Sequence, residues 1–512
     1  MSDIVDSSIK KAIRNTSLIL SGTILSTLLL MIAKVLVVRN TTKEDLGIYT
    51  LSVIIANALA LIATIGTHEG AARYVSLYVG KDQRPDADAL SQSALFISIV
   101  SGIVIGSLVY CCSGIIAHRV FMNPELAFPL KTVSIAIPFL VITQVISSIL
   151  RGHGVIMAKV YYLDIGLPLY FIAIVCCAIF FRLPFSSILY AYVCSAILAC
   201  ISIGCYAYGK LGSRPFRIHE GKQAGELLRF SIPLLIGTLM AMIMNWADIL
   251  MLGRYAGAAT VGVYEVSSAL SKMLMLPLAA LEFVFLPIAG ALHGLDQSLE
   301  LARTYQVLTK WIFSITVPIF FMLIVYPEHI IGLLFSDRFL DAVPALRILS
   351  CGLLFHALWG PNGILMVVIG MPREISAVST FGAVLNIVLN YLLISHLSLG
   401  SIGAALATVS TYVALNLLVI GILYFKRGIQ PFTRPYLKAM LGAFGTGSVV
   451  FLCSRLLPPS AWLVPVFGMV FLIGYIASLV ASKSIDAEDA SLFRAIVATA
   501  LAKGKAFKEN IS

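Results

Sequence analysis

Charged side chains inside long apolar segments are the residues of this sequence most able to do chemistry. Lys34, Asp248, Glu265 and Lys272 each interrupt a run of hydrophobic residues, and Asp164 interrupts another. A charge at the centre of a bilayer costs about 2.5–3.5 kcal/mol or more, so such residues usually face a water-filled cavity or each other. Their positions therefore indicate where an ion or a charged substrate would bind.

The composition predicts that these segments cross a membrane. The chain has 512 residues, of which 59% are hydrophobic and only 12% charged. A soluble domain carries about twice that charge, which it needs to cover its surface, and disordered chains are far less apolar. Gly360 and Pro361 predict a kink or break in the tenth of fourteen apolar runs. Runs of about 20 residues predict membrane-spanning helices, and they lie at 16–38, 46–66, 90–112, 130–150, 160–181, 186–208, 228–252, 263–285, 306–327, 342–369, 376–396, 402–425, 436–457 and 461–482.

The distribution of Lys and Arg predicts the orientation of these helices. The N-terminus, every second loop and the C-terminus together hold 25 of them, and the opposite side holds 9. By the positive-inside rule, both termini of this multi-pass protein are cytoplasmic. The net charge of +11 is then mainly a topology signal and does not indicate nucleic-acid binding.

An internal repeat predicts two lobes with the same orientation. Arg39 and Arg254 are 215 residues apart, and so are Leu46–Tyr49 and Val261–Tyr264. Each repeat holds six helices, which predicts a pseudo-twofold axis along the membrane normal, as in alternating-access transporters. The predicted parts are a cytoplasmic amphipathic segment at 1–15, an N-lobe at 16–208, a cytoplasmic linker at 209–227, a C-lobe at 228–425, two further helices at 436–482, and a cytoplasmic amphipathic tail at 483–512.

Polar residues at matching positions of helices 1, 2, 7 and 8 predict the wall of a central hydrated cavity. They are Thr23, Lys34, Asn57, Thr238, Asp248, Glu265 and Lys272. Lys34 falls within one residue of the repeat equivalent of Asp248. The alternatives to a cavity are a buried Lys34–Asp248 pair that only fixes lobe packing, and extension of Lys34 or Glu265 to the membrane interface. Asp164 fits a cavity role and a helix-packing role equally well.

Other polar residues allow two interpretations each. Arg73 either receives an anionic group at the cytoplasmic mouth or marks the cytoplasmic side. Asn386 and Asn390 are predicted to join helices, and His356 and His396 to be structural. The sequence contains no phosphate-binding loop, HExxH or GxSxG motif. We therefore expect no enzyme activity and no cofactor, with transport driven by an H⁺ or Na⁺ gradient, the membrane potential or the substrate's own gradient.

Three short motifs resemble one family of membrane proteins. They are Arg39 with Glu44–Tyr49, Gly66–Tyr74, and Val261–Tyr264 with Phe285–Ile288. The first two are similar to the region after helix 1 and the end of helix 2 in polysaccharide-biosynthesis membrane proteins. The third resembles their second-half counterpart. These are lipid-linked oligosaccharide flippases of the multidrug/oligosaccharidyl-lipid/polysaccharide exporter superfamily, and the resemblance covers about residues 10–425.

The resemblance implies a V-shaped pair of lobes around a cationic cavity for the phosphate and sugar head group of a lipid carrier. By analogy Lys34, Lys272 and Arg73 would face that head group, and Asn57, Thr23 and Thr238 complete the substrate-binding set. Asp248 and Glu265 depart from a purely cationic cavity. Asp248, Glu265 and Asp164 are the candidates to bind a coupling cation. Alternatively, Asp248 and Glu265 orient the two lysines.

The resemblance leaves competing functions. The leading one is a flippase for lipid-linked glycans in the cytoplasmic membrane, with membrane lipid and glycan polymerase or transferase machinery as partners and without nucleic acid. The first alternative is a cation-coupled multidrug antiporter of the same superfamily. The second alternative is a membrane-embedded polymerase or glycosyltransferase. It is disfavoured because the sequence has no loop large enough for a catalytic site.

Overall fold

Helices form every regular element in the residues that the structure, a computed structural model, describes: 2–211, 222–455, 463–484 and 489. The first ten are α1 Ser2–Arg39, α2 Lys43–Ala63, α3 Thr67–Gly80, α4 Arg84–Ile115, α5 Ala127–Ser134, α6 Ala136–Gly152, α7 Leu167–Phe180, α8 Ser186–Leu211, α9 Lys222–Tyr255 and α10 Ala258–Ser271. The others are α11 Leu276–Gly294, α12 Ser298–Val325, α13 Pro327–Leu334, α14 Val343–Ala357, α15 Asn362–Val368, α16 Pro372–Asn390, α17 Gly400–Arg427, α18 Arg434–Arg455 and α19 Leu463–Ala481. The predicted all-α fold is confirmed.

The helices match the predicted membrane spans. Among the described residues, twelve helices are long and apolar enough to cross a bilayer, and the bent pair Pro124–Ser134 and Ala136–Gly152 makes a thirteenth if it is one span. The remaining predicted run, 228–252, lies in α9, which has 34 residues. At a rise of 1.5 Å per residue, such a helix is about 51 Å long, and a bilayer core is about 30 Å thick.

Two spans are broken inside the membrane-crossing region. In the span Ala258–Gly294, α10 ends at Ser271, a 3₁₀ turn follows at Lys272–Met275, and α11 begins. In the span Asp337–Val368, α14 ends at Ala357 and α15 begins at Asn362. Gly360 has φ +58° there, a conformation that residues with a Cβ adopt only at a cost. This confirms the predicted break in the tenth span.

Two compact units are distinguished by the packing of the described residues. The first unit comprises Ser21–Glu265 and Asn386–Ala404, and the second comprises Val266–Leu385 and the chain from Ala405 onward, with Met1–Leu20. This division follows contacts, whereas the predicted lobes follow the repeat and remain a prediction. The amphipathic character predicted for 1–15 concerns side chains that the structure does not describe. The linker residues 212–221 and the tail beyond Asp489 also lie outside the described residues.

The internal repeat is visible in the backbone turns. Equivalent helices begin 214 or 215 residues apart: α2 and α10 at 43 and 258, α4 and α12 at 84 and 298, α8 and α17 at 186 and 400. Left-handed residues recur with nearly equal φ at spacings of 214 or 216 residues: Asp82 and Asp296 at 56°, Gly154 and Gly370 at 82° and 80°, and Arg182 and Ser398 at 51°. The two halves therefore place the same unusual turns at the same points of the chain.

Two repeat-related glycines bring α2 and α10 into direct backbone contact within the first unit. A Cβ on Gly47 would lie 1.8 Å from the carbonyl oxygen of Ala258, the first residue of α10. A Cβ on Gly262 would lie 2.1 Å from the carbonyl oxygen of Lys43, the first residue of α2. Each glycine thus packs on the start of the other helix, as a local twofold axis requires. The glycine of the repeated motif is explained by this crossing.

Candidate functional site

An ion pair between two membrane-spanning helices forms the centre of the candidate site. The Lys34 ammonium on α1 binds the Oε1 carboxylate atom of Glu265 on α10, within the first unit. The Lys34 side chain is 33% exposed and that of Glu265 12% exposed. The cation is therefore neutralised in this state but accessible to a competing anion.

The second predicted carboxylate is held by a tyrosine. The Tyr264 hydroxyl donates to Oδ2 of Asp248 at 2.5 Å, and the Ile249 amide donates to Oδ1 at 2.9 Å. Asp248 is 8% exposed. The sequence suggested Lys34 as its alternative partner, but Lys34 binds Glu265 instead. Tyr264 ends the repeated motif, so this motif supplies both the close helix crossing and a donor for the carboxylate.

Polar groups on α2 and α8 continue this surface in the first unit. Asn57 is half-buried, and its Oδ1 accepts a hydrogen bond of 3.2 Å from the Tyr192 hydroxyl. The Asn57 amide donates to the carbonyl of Val53 at 2.9 Å. Tyr49, the repeat equivalent of Tyr264, is within electrostatic range of Glu265 and Tyr192. The tyrosines of the site were missed because the sequence presents them as family motifs or as ordinary helix residues.

The other predicted residues of the first unit have differing environments. Thr23 is exposed and its carbonyl accepts from Thr27, while Thr238 is half-buried. Asp164 is half-buried on a π-helical turn, Lys159–Gly166, at the start of a span. The structure thus describes these positions, and their roles in binding remain predictions.

Lys272 belongs to the second unit. It is exposed and begins the 3₁₀ turn between α10 and α11, inside the span Ala258–Gly294. An exposed lysine within a membrane span is expected to reach water or an anionic group, because lipid tails do not solvate an ammonium. Its predicted role in substrate binding is independent of the Lys34–Glu265 pair.

Arg73 lies on α3, outside the candidate spans, and packs on an aromatic ring. Its guanidinium carbon is 4.3 Å from the ring centre of Phe230 on α9. Tyr74 meets the same ring edge to face, with 5.4 Å between the ring centres. Arg73 is exposed, so this cation–π contact leaves its guanidinium edge accessible.

A histidine at the start of α3 lies beside a charged pair. The Thr64 hydroxyl and His68 Nδ1 are 3.0 Å apart, and Glu69 binds Arg151 of α6 at 3.1 Å. Burial lowers the pKa of His68, nearby Arg151 lowers it further, and Glu69 opposes both effects. His68 is therefore neutral over a wider pH range than an exposed histidine.

The second unit contains a buried ion pair that was not predicted from the sequence. Lys310 of α12 binds Oδ2 of Asp489 at 2.6 Å and the carbonyl of Ser484 at 3.0 Å. The indole of Trp311 donates to Oδ1 of Asp489 at 2.8 Å. Both charged side chains are 6% exposed. Asp489 was not singled out because it lies in the tail that was predicted to be amphipathic. Its carboxylate joins the segment after the last span to α12.

Metal-ligand clusters are absent from the described part of the chain, in which no group of three or more His, Cys, Asp or Glu side chains could hold an ion. The nine cysteines are free thiols. The candidate site is thus a set of paired charges and tyrosine hydroxyls. This arrangement suits exchange of an anion or a proton.

Solved structures of transporters share this fold. A lipid II flippase, MurJ, in an inward closed conformation has a TM-score of 0.73 at 17% identity, with 90% of this chain and 98% of that chain covered. An inward-facing multidrug resistance transporter of the MATE family has a TM-score of 0.64 at 16% identity, with 79% and 94% covered. These likenesses show that the chain shares its all-helical fold with both transporters.

Curated relatives match parts of the chain. A probable low-salt glycan biosynthesis flippase, Agl15 of Haloferax volcanii, is 23% identical over 37% of this chain and 40% of its own. An uncharacterized membrane protein of Methanocaldococcus jannaschii is 27% identical over 38% of each chain. The teichuronic acid biosynthesis protein TuaB of Bacillus subtilis is 22% identical over 56% and 59%. The chain therefore matches between about two fifths and three fifths of the length of these relatives.

Two family descriptions match the sequence. The MatE family matches residues 233–392, which include part of the second repeat. The polysaccharide biosynthesis protein family matches residues 12–293, more than half of the chain and all of the Lys34–Glu265 and Asp248–Tyr264 site. The predicted membership is confirmed: this multi-pass membrane protein belongs to the polysaccharide biosynthesis protein family.

Proposed function

We propose that this protein is a flippase that moves a lipid-linked oligosaccharide, carried on a polyprenyl phosphate or pyrophosphate, across the cytoplasmic membrane by alternating access. The observation that carries the proposal is the Lys34–Glu265 pair, in which a partly exposed ammonium lies within a membrane span. Similarity to a probable glycan biosynthesis flippase and to a lipid II flippase supports the substrate class.

The pair provides a means of exchanging anions. Two unit charges attract each other more strongly in a protein cleft than in water, so Lys34 binds one oxyanion tightly at a time. A phosphate of the head group displaces Glu265 from Lys34, and Glu265 then accepts a proton or binds Na⁺. Return of the carboxylate to Lys34 releases the phosphate on the other side. Substrate movement and ion movement are thereby linked at one ammonium group.

Asp248 is the proposed second coupling residue. Its Tyr264 hydrogen bond keeps the carboxylate oriented, so loss or gain of a proton or Na⁺ changes the contact between α9 and α10. Asp164 is a further candidate. Lys272 and Arg73 provide further cationic contacts for the head group, and Asn57, Thr23 and Thr238 provide hydrogen bonds to its sugars.

The remaining features of the proposal concern the cell. Both termini are placed in the cytoplasm, because the predicted inner side holds 25 of the Lys and Arg residues. The membrane is the plasma membrane, where surface-glycan precursors are assembled. The protein acts without a cofactor and as a transporter, and supplies polymerase or transferase machinery with its substrate.

Reconstituted protein tests this proposal with a polyprenyl-phosphate sugar as the probe. Lys34→Met should abolish its movement across the bilayer. Glu265→Gln should slow movement and remove its dependence on the ion gradient, because no carboxylate returns to Lys34 to displace the phosphate. Lys426→Met is the matched control, since Lys426 also binds a glutamate, Glu374, between two spans but is 52% exposed at a helix end. Normal movement in the Lys34→Met protein would remove the proposed role of the pair.

A cation-coupled multidrug antiporter is the second candidate function. The MatE match over 233–392 and the acidic residues Asp248 and Glu265 favour it. Such an antiporter would expel a lipophilic cation, and its transport would depend on Asp248 and not on Lys34. Uptake of ethidium into inside-out vesicles, unaffected by Lys34→Met and abolished by Asp248→Asn, would support this function over the flippase.

A further inference from the structure

The break in the tenth span contains a hydrogen-bonded node of three side chains. Asn416 of α17 lies at its centre and is buried. Its Nδ2 donates to the Tyr412 carbonyl at 2.7 Å and contacts Nδ1 of His356 at 2.7 Å, while its Oδ1 accepts from Asn362 Nδ2 at 2.9 Å. The node therefore connects the end of α14 and the start of α15 to α17, all within the second unit.

The Tyr412 carbonyl fixes the protonation state of His356. A carbonyl only accepts hydrogen bonds, so the Asn416 atom beside it is the amide nitrogen. That nitrogen carries two hydrogens, and the second one points to His356 Nδ1. His356 Nδ1 consequently has no hydrogen and accepts, and the ring proton is on Nε2. The imidazole is neutral in this state.

Protonation cannot occur without breaking the node. A proton from the aqueous medium that adds to Nδ1 forms an N–H bond opposite the amide N–H of Asn416. Two donors then face each other, and rotation of the Asn416 amide would remove the bonds to Tyr412 and Asn362 as well. Asn362 is the first residue of α15, so the loss is felt where the helix restarts.

Two tyrosine hydroxyls bind the backbone of the break, and one buried side-chain donor nearby has no partner. The free carbonyls of the break, those of Leu358 and Trp359, accept from the hydroxyls of Tyr436 and Tyr305 at 2.9 Å and 2.6 Å. The indole Nε1 of Trp359 is buried and has no hydrogen-bond partner in the described structure. A buried donor without a partner is costly, which favours a second arrangement in which it is paired.

We infer that His356 is a proton-binding site that controls the break between α14 and α15. His356 is half-buried as a residue, and its Nδ1 lies 2.7 Å from the Asn416 amide nitrogen. This inference rests on the proposed transport function, in which a proton taken up at His356 would loosen a broken span of the transporter. The site differs from the carboxylates of the first unit, because its ligand is a proton bound by nitrogen.

The charged and titratable groups around His356 are known for each element packed on α14. Lys310 and Glu328 are held in ion pairs with Asp489 and Arg347. The elements packed on α14 carry Glu300, Arg303, Tyr305 and Lys310 on α12, Lys272 on the 3₁₀ turn, Glu328 and His329 on α13, and Asp337, Arg338 and Asp341 on the 3₁₀ helix before α14, while α17 carries Tyr412, Tyr424, Lys426 and Arg427. Tyr412 makes the direct contact, with 4.8 Å between the two ring centres.

Tryptophan fluorescence of the full protein in nanodiscs tests the inference without any substrate. The contribution of Trp359 is the difference between the wild-type protein and Trp359→Phe, recorded from about pH 8 to about pH 3, a range wide enough for both an exposed and a buried histidine. We expect a reversible one-proton transition in this difference. His356→Gln should abolish it, because glutamine accepts from Asn416 but takes up no proton. His396→Gln is the matched control and should retain it.

The outcomes separate this inference from the proposed function. A flat difference signal in the wild type, or a transition that survives His356→Gln, would overturn the proton site whatever molecule is transported. If His356→Gln does not fold, Asn362→Ala removes one bond of the node, and an unchanged amplitude there would count equally against it. A protein that shows the transition but moves no lipid-linked sugar would contradict the flippase proposal alone.

Discussion

Two lysine–carboxylate pairs, one in each compact unit, differ in how completely they are sealed. In Lys34–Glu265 the lysine side chain is 33% exposed, whereas both side chains of Lys310–Asp489 are only 6% exposed. Asp489 also accepts from Trp311, and Lys310 also donates to the Ser484 carbonyl. The second pair therefore has its hydrogen-bonding capacity largely used. An open pair is suited to exchange partners, and a sealed pair is suited to hold two segments together.

The largest expected effect is on the sealed pair. Lys310→Met leaves the Asp489 carboxylate buried without its cation, which costs about 3–5 kcal/mol for buried pairs. We expect the free energy of unfolding in mixed detergent micelles to fall by about that amount. Unfolding by added denaturing detergent, followed by circular dichroism, measures the loss.

The double variant Lys310→Met with Asp489→Asn is the control. It removes both charges and keeps an acceptor for the Trp311 indole, so most of the stability should return. A single variant as stable as the wild type would show that Asp489 is hydrated or displaced in solution, and the contrast between the two pairs would disappear.

A smaller loss of stability is expected at the open pair. Lys34→Met leaves Glu265 unpaired, but the accessible site can hydrate or protonate this carboxylate. We expect a loss of about 1–2 kcal/mol in the same measurement, smaller than that of Lys310→Met. Equal losses for Lys34→Met and Lys310→Met would mean that exposure does not distinguish the pairs.

The surface pair between α3 and α6 should contribute least of the three. Glu69 and Arg151 are 46% and 40% exposed, so water screens their attraction. Glu69→Gln is expected to change the free energy of unfolding by no more than about 1 kcal/mol, and by less in high salt. Comparison at low and high ionic strength provides the check, and a loss that does not depend on salt would exclude simple charge pairing.

A modest pH effect is expected from His68, next to that surface pair. Because burial lowers its pKa in the folded protein, the unfolded chain binds a proton more readily. Its contribution to stability is therefore complete above the unfolded value of about 6.5 and is lost as the pH falls through it. His68→Gln should flatten this part of the stability curve. His118→Gln, at an exposed position, should leave the curve unchanged.

The fold was largely predictable from the sequence, because a bilayer imposes long apolar runs. In the described residues each predicted run coincides with one helix or with consecutive helices, and the break at Gly360–Pro361 follows from the chemistry of these two residues. The repeat was also predictable, since equal turns need similar residues. The sequence could not define the two compact units, which depend on packing between helices distant in the chain.

The candidate site was predicted in its members but not in its pairing. The repeat aligned Lys34 with Asp248, whereas the actual partner of Lys34 is Glu265. An offset along the chain relates equivalent positions, and equivalent positions need not touch. Tyr264 and Asn416 were missed because their importance lies in hydrogen bonds to groups on other helices, Asp248 for Tyr264 and His356 and Asn362 for Asn416. His356 was predicted to be structural, since nothing in the sequence shows that Asn416 occupies its Nδ1.

The crossing of Gly47 and Gly262 has a consequence for how the two halves can change. Each glycine lies against the first residue of the other half's helix, so a methyl group at one position strikes the backbone of the other repeat. Relief would require the helices to separate, which also opens the space around the second glycine. A substitution of either glycine therefore disturbs the same helix crossing. Elsewhere the sequences of the two repeats can diverge independently, but at this crossing both must keep glycine.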